Sequence, residues 1–335
     1  MLIILVIQTG ILYGINSYFH VDDVTVAYSS PVAKPVANVE LSEDKGTVNL
    51  VGTSYDKSYY SIAYSKHLSI YPTKEKKPIF EMDVPAGMYV SVMHWLPDEN
   101  RLLYAIANSS KTRTGRIEVH VVNVASKQDS LVKELSGLSE GSHVKAFALS
   151  TFTNLLYVDV ENSRKSDSIY KINIMEHMNR ISLASYKIDN VAVASKEELF
   201  FYEDTIRRQV FSYNGRRIKM ITPDDWDYCL LGISKEDELY IGRLNDGKVT
   251  SIFKSDKDGK MTLFADLAHE VPRENFILGL NGQLVVKNFP TEKYIAVIKP
   301  NGETKTFDVV SPDAFITGDA MFYIQDGKMH ITYFQ

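Results

Sequence analysis

Residues 222–228, TPDDWDY, set three carboxylates around a tryptophan. Carboxylates gathered at one surface attract a metal ion or a basic peptide, and an indole beside them offers a flat apolar anchor. Asp224, Asp225, Trp226 and Asp227 are therefore the first candidate binding residues. Acids at comparable places along the chain, Asp189, Glu274 and Asp313 together with Glu140 and Glu270, extend the set. Brought together, they would form an acidic, partly aromatic collar suited to a cation or a basic segment of another protein.

Other motifs carry less chemistry. GLSEG, residues 137–141, has the spacing of a hydrolase nucleophile elbow, which needs a strand before Ser139 and a helix after it. Both flanks, SLVKELS and HVKAFAL, read as strands, so Ser139 is expected in a surface connection. The eight histidines include no His-x-His or His-Glu-x-x-His spacing, so no zinc site and no catalytic residue is readable. SDKDGK, residues 255–260, resembles a calcium-loop fragment but lacks its downstream glutamate, leaving a hairpin turn. The single cysteine, Cys229, excludes an intrachain disulfide framework and reads as a buried thiol.

Bulk properties narrow the classes. A net charge of -5 with no lysine or arginine stripe disfavours nucleic acid as a partner. With 44% hydrophobic residues, the 335-residue chain can bury a sizeable core. Residues 1–19 hold no charge, as expected of a secretory signal or a membrane anchor, although the usual leading basic residues are missing. The expected organisation is an N-terminal apolar segment over 1–22, a linker and closing strand over 23–45, and one folded unit over 46–335. Everything after about residue 22 is expected outside the cytoplasm.

What must position the candidate residues is a repeat. MHWLPDENRLLYAIA from Met93 has counterparts at Phe147, Val191, Leu231, Ile277 and Phe315, with a poorer copy from Thr47. Each is an apolar strand, a polar turn and a second apolar strand. The second strands are marked by Tyr60, Leu103, Leu156, Phe200, Tyr240, Val285 and Phe322, which lie 37 to 53 positions apart. That spacing centres on the roughly 40–50 residues of a propeller blade. Asn-Gly and Asp-Gly pairs at 214, 246, 258 and 301 supply tight hairpin turns farther out in the later units. The last unit has room for only three strands, so a strand from VANVELS or VTVAYSS is expected to complete it and close the ring.

The Trp95, Pro97, Asp98 and Leu102 pattern is similar to the repeat of TolB-type, WD-like bacterial β-propellers, well in this unit and in outline in the others. The reading is thus an all-β chain forming a single propeller of seven four-stranded blades. Such a propeller behind an uncharged N-terminal segment is expected to be an extracytoplasmic binding or assembly module with a protein or peptide partner and no cofactor. The alternative is a metal-dependent propeller enzyme, of lactonase or lyase type, with its site at the channel mouth.

Overall fold

A computed structural model describes residues 36–334 except 42, 110–113, 174, 176, 280 and 290. The N-terminal segment, and with it the signal or anchor expectation over 1–22, lies outside the described residues. So does VTVAYSS. Among the described residues no helix is long and apolar enough to cross a membrane.

The chain forms seven four-stranded antiparallel sheets. Blade 1 runs Val48–Thr53, Tyr59–Tyr64, His67–Pro72 and Phe80–Asp83, and blade 2 runs Met88–Trp95, Arg101–Asn108, Gly115–Asn123 and Gln128–Leu138. Blade 3 is His143–Ser150, Leu155–Glu161, Asp167–Asn173 and Met178–Ile181; blade 4 is Ile188–Val193, Phe200–Asp204, Gln209–Tyr213 and Ile218–Met220. Blade 5 is Asp227–Ile233, Leu239–Asn245, Lys248–Ser255 and Met261–Pro272; blade 6 is Phe276–Leu278, Leu284–Lys287, Tyr294–Ile298 and Thr304–Asp308. Blade 7 contributes Phe315–Ile316, Ala320–Gln325 and Lys328–Tyr333, and Ala37–Glu40 from the VANVELS stretch pairs with its last strand.

All seven marker residues fall in second strands, as the repeat requires. First strands of blades 1 to 6 pack against one another in succession, which makes them the inner wall of the ring. Successive buried residues of a second strand point to opposite faces of its sheet, as Leu102, Tyr104 and Ile106 do on one side and Leu103, Ala105 and Ala107 on the other, and so fill the spaces between blades. Tyr104, Tyr157 and Tyr240 are among the fully buried residues there, so their role is packing.

The turns of the inner hairpins form a belt around one rim. Asn100 donates to Asp56 at 2.9 Å, joining blades 2 and 1, and Thr151 donates to Asp98 at 2.6 Å, joining blades 3 and 2. Ser150 reaches the Ser195 carbonyl, and Asp237 accepts from the Ser195 amide and hydroxyl, linking blades 3, 4 and 5. Lys235 to Asn281, Gln283 to the Gly318 carbonyl, and Lys57 with Asp319 complete the circuit. Gly279 and Gly318 let blades 6 and 7 approach closely, since a Cβ on Gly318 would lie 2.4 Å from the Gly279 Cα.

The turn around Pro97 and Asp98 is thus blade architecture. Trp95 is buried between blades 1 and 2, packs on Gly52 and donates its Nε1 hydrogen to Ser61 Oγ at 3.0 Å. Trp95→Phe removes that donor and trims the packing, and a loss of about 1–2 kcal/mol in denaturant unfolding is the expected result. An unchanged midpoint would show that the bond adds nothing.

Candidate functional site

Two places concentrate chemistry, and both face the rim opposite the belt, where the connections between blades run. The first is the inner wall. In five blades the inner strand carries one extra residue, a β-bulge: Asn49, Ser91, Lys145, the Asp189–Asn190 pair and Leu231. A bulge leaves its residue out of the ladder and re-aims its side chain.

Opposite these bulges, blades 1 and 2 carry Ala63 and Ala105, each fully buried. Blades 3 and 4 carry Asp159 and Glu203 instead, also fully buried. Burial raises Asp159 to about 8 against the pull of Lys145, and raises Glu203 to about 7 against the pull of Arg273.

Cations on the neighbouring elements answer these acids. Lys145 Nζ lies 2.8 Å from Asp167 and 3.4 Å from Asp159, and it donates to the Ile188 carbonyl of blade 4. Burial pulls Lys145 down, but Asp159 and Asp167 outweigh it and its pKa ends above the ordinary value. The Ile188 amide in turn donates to Asp167 at 2.7 Å. Arg273, just before blade 6, bridges Glu203 and Asp189, the latter at 2.6 Å. Glu203 also accepts from the Leu230 amide of blade 5 at 3.1 Å, and Asn190 donates to the Leu230 carbonyl at 2.6 Å. A chain of charges therefore ties blades 3, 4, 5 and 6 together. Lys145 and Asp167 pair within blade 3 and cross to blade 4 at Ile188, while Glu203 and Asn190 cross to blade 5 at Leu230 and Arg273 holds Asp189 and Glu203 from the entry to blade 6.

Raised carboxyl pKa values have a defined consequence. The folded chain holds more protons than the unfolded one between the ordinary carboxylate range and about pH 8. Stability from these groups is therefore greatest in acid and falls as pH rises through that window. Asp159→Asn is expected to raise the denaturation midpoint at about pH 9 and to leave it nearly unchanged at about pH 5. Equal effects at both values would contradict a buried titrating carboxyl.

The second place is the rim of blades 4 and 5. Three loops lie side by side there: residues 182–187, 205–208 and 221–226. The Thr205 amide donates to the Lys187 carbonyl at 3.2 Å, the Tyr228 amide to the Arg208 carbonyl at 2.8 Å, and Gln209 to the Trp226 carbonyl at 2.7 Å. Each loop exposes one large apolar side chain: Tyr186 is 60% exposed, Ile206 54% and Trp226 51%.

Trp226 lies with its ring centroid 5.2 Å from the Arg243 guanidinium, which also stacks near Phe253 and donates to Ser251 at 2.8 Å. Arg208 pairs with Asp227 at 2.7 Å and Arg207 with the buried Asp204 at 2.9 Å. Asp225 accepts from the Tyr228 hydroxyl at 3.2 Å.

The seven candidate residues fall as follows. Asp224, Asp225, Trp226 and Asp227 occupy the approach to blade 5, as expected from the repeat. Glu274 and Asp313 lie in the connections between blades 5 and 6 and blades 6 and 7, and Glu140 in that between blades 2 and 3. Asp189 belongs to an inner strand and Glu270 to an outer one, because bulged pairing carries these strands farther than alternation suggests. The rim is also mixed in charge: Arg273 neutralises Asp189 and Arg208 neutralises Asp227.

Sequence reasoning passed over Lys145, Asp159, Glu203 and Arg273. An acid inside an apolar second strand, as in LLYVDVE and FFYED, was the available signal.

The remaining motifs fit the fold. Ser139 sits in a strand-to-strand connection with no following helix, and SDKDGK is a hairpin turn in which Asp256 accepts from the amides of residues 258 and 260. Cys229 is buried against Gly242, and burial raises its thiol well above the ordinary value. His94 is lowered by burial to about 4. Among the described residues no three histidine, cysteine, aspartate or glutamate side chains gather as a metal site. On the belt side, a cleft of about 450 Å³ opens between blades 4 and 5, where Lys257 and Glu197 pair.

No family model matches the chain, and no curated protein sequence matches it. Solved structures do. A chain of a mitotic checkpoint complex aligns with a TM-score of 0.56 at 9% identity, covering 94% of this chain and 99% of its own. Virginiamycin B lyase from Staphylococcus aureus aligns with a TM-score of 0.56 at 12% identity, covering 89% and 98%. At such identity the likeness establishes the propeller fold and nothing finer.

Proposed function

We propose that the protein is a non-catalytic binding or assembly propeller that recognises a protein or peptide through the loops of its connection-bearing rim, outside the cytoplasm. One observation carries the reading. Three neighbouring loops on blades 4 and 5 each expose a large apolar residue, and two of these, Tyr186 and Trp226, are the types that dominate binding energy at interfaces. The rigid ring holds those loops in place, so little ordering is lost on binding.

The TolB-type likeness of the Trp95 turn and the uncharged residues 1–19 support an exported module of this kind. The enzymatic alternative would draw on the channel-mouth carboxylates. Those carboxylates are already paired with Lys145 and Arg273 of the same chain, which favours binding.

Capture of a specific partner by the full chain tests the reading. Ile206→Ala with Trp226→Ala should abolish capture, while Phe152→Ala, at an exposed turn of the belt rim, should leave it intact. Capture lost only with the Phe152 variant would move the binding surface to the other rim.

A further inference from the structure

We infer that the blade 4–5 patch takes an extended basic peptide segment carrying apolar side chains, an inference that rests on the rim-binding reading above. The exposed row Tyr186, Ile206 and Trp226 offers the apolar contacts. Trp226 is pre-positioned, its carbonyl held by Gln209 and its ring lying against Arg243.

The charged half is an imbalance in what remains available. The arginines of the patch are engaged: Arg207 with Asp204, Arg208 with Asp227, and Arg243 with Ser251 and two aromatic rings. Asp224, Asp225 and Asp246 are exposed, and none has an ion pair among the described residues. Asp246 lies in the turn beside Asp227, close enough to influence Arg208.

Two exposed lysines, Lys187 at the blade 3 end and Lys248 in the same turn as Asp246, offset these three acids in part and leave Asp224 and Asp225 beside Trp226 as the acidic side of the patch. An acidic partner would bring its charge against unpaired carboxylates, whereas lysines or arginines find them open. The chain's net charge of -5 adds attraction at longer range.

The protein's two tryptophans make the test direct. Trp95 is buried between blades 1 and 2 and Trp226 is half-exposed, so a shift in emission on titration reports on the patch. The full chain would be titrated with three synthetic peptides: lysine alternating with leucine, lysine alternating with serine, and glutamate alternating with leucine. A blue shift is expected with the lysine–leucine peptide alone, weakening as salt is raised. Asp224→Asn with Asp225→Asn, both at exposed positions, should raise its half-saturation concentration about tenfold, as expected for losing two charge contacts.

An equal shift with the glutamate–leucine peptide, or unchanged affinity in the double variant, would overturn the inference. So would equal binding of the lysine–serine peptide, which has charge without anchors. If Ile206→Ala with Trp226→Ala abolishes partner capture while no basic peptide binds, the partner chemistry is wrong and the rim reading stands. If capture ignores those substitutions, the rim reading itself fails.

Discussion

Arg273→Ala is expected to lower the unfolding free energy by about 3–5 kcal/mol, the cost of leaving a buried charge without its partner. The guanidinium answers Glu203, whose side chain is wholly out of solvent, and it also holds Asp189. Without it, Glu203 keeps the Leu230 amide as a donor but loses its neighbouring positive charge. The carboxyl can escape by taking up a proton, so the loss should be smaller in acid than in base.

A second substitution separates this from simple loss of packing. Glu203→Gln in the Arg273→Ala background removes the stranded charge and should recover much of the stability, a coupling that a double-mutant cycle measures directly. A single-variant loss below about 1 kcal/mol, the range of exposed ion pairs, would mean that the chain of charges does not clamp the blades.

Removing residues 36–41 is expected to cost on the order of 3–5 kcal/mol, from one buried valine and the lost strand hydrogen bonds. Ala37 and Val39 are buried in the cluster shared by blades 7 and 1. The Val36 amide donates to the Ile331 carbonyl at 2.8 Å and the Leu41 amide to the Gly327 carbonyl at 3.1 Å. Without this strand, Lys328–Tyr333 becomes an open edge, a template for pairing between molecules. Denaturant unfolding should show an earlier midpoint, and sedimentation should show association that grows with concentration. A truncated chain with the parent's midpoint and a monomeric profile would show that the ring does not depend on this strand.

Much of the fold was legible because its information is local. An apolar strand, a polar turn and a second strand occupy consecutive residues, and Tyr60, Leu103, Leu156, Phe200, Tyr240, Val285 and Phe322 all mark second strands. Turn chemistry is equally local: Asp246 and Gly247 both adopt positive φ, as a tight hairpin turn demands.

The charged inner wall was not legible, because its meaning depends on register and on neighbouring blades. Asp159 signifies little until the bulge at Lys145 sets it opposite and Asp167 completes the pair. Arg273 and Glu203 are 70 positions apart and meet only when blades 4 to 6 close around the axis. Local rules broken in this way, an acid in an apolar strand, are where sequence patterning and structure part.

At the rim the sequence located Trp226 and its aspartates but not Ile206 and Tyr186. These stand in turns whose neighbours are fixed only by the ring.

Amide hydrogen exchange of the full chain, alone and bound to a protein it captures specifically, tests the rim reading most directly. Protection is expected to concentrate in residues 182–187, 205–208 and 221–226, with the inner-hairpin turns around Asp98, Ser195 and Asp237 unchanged. Protection confined to those turns, or to the channel mouth around Lys145 and Arg273, would contradict it.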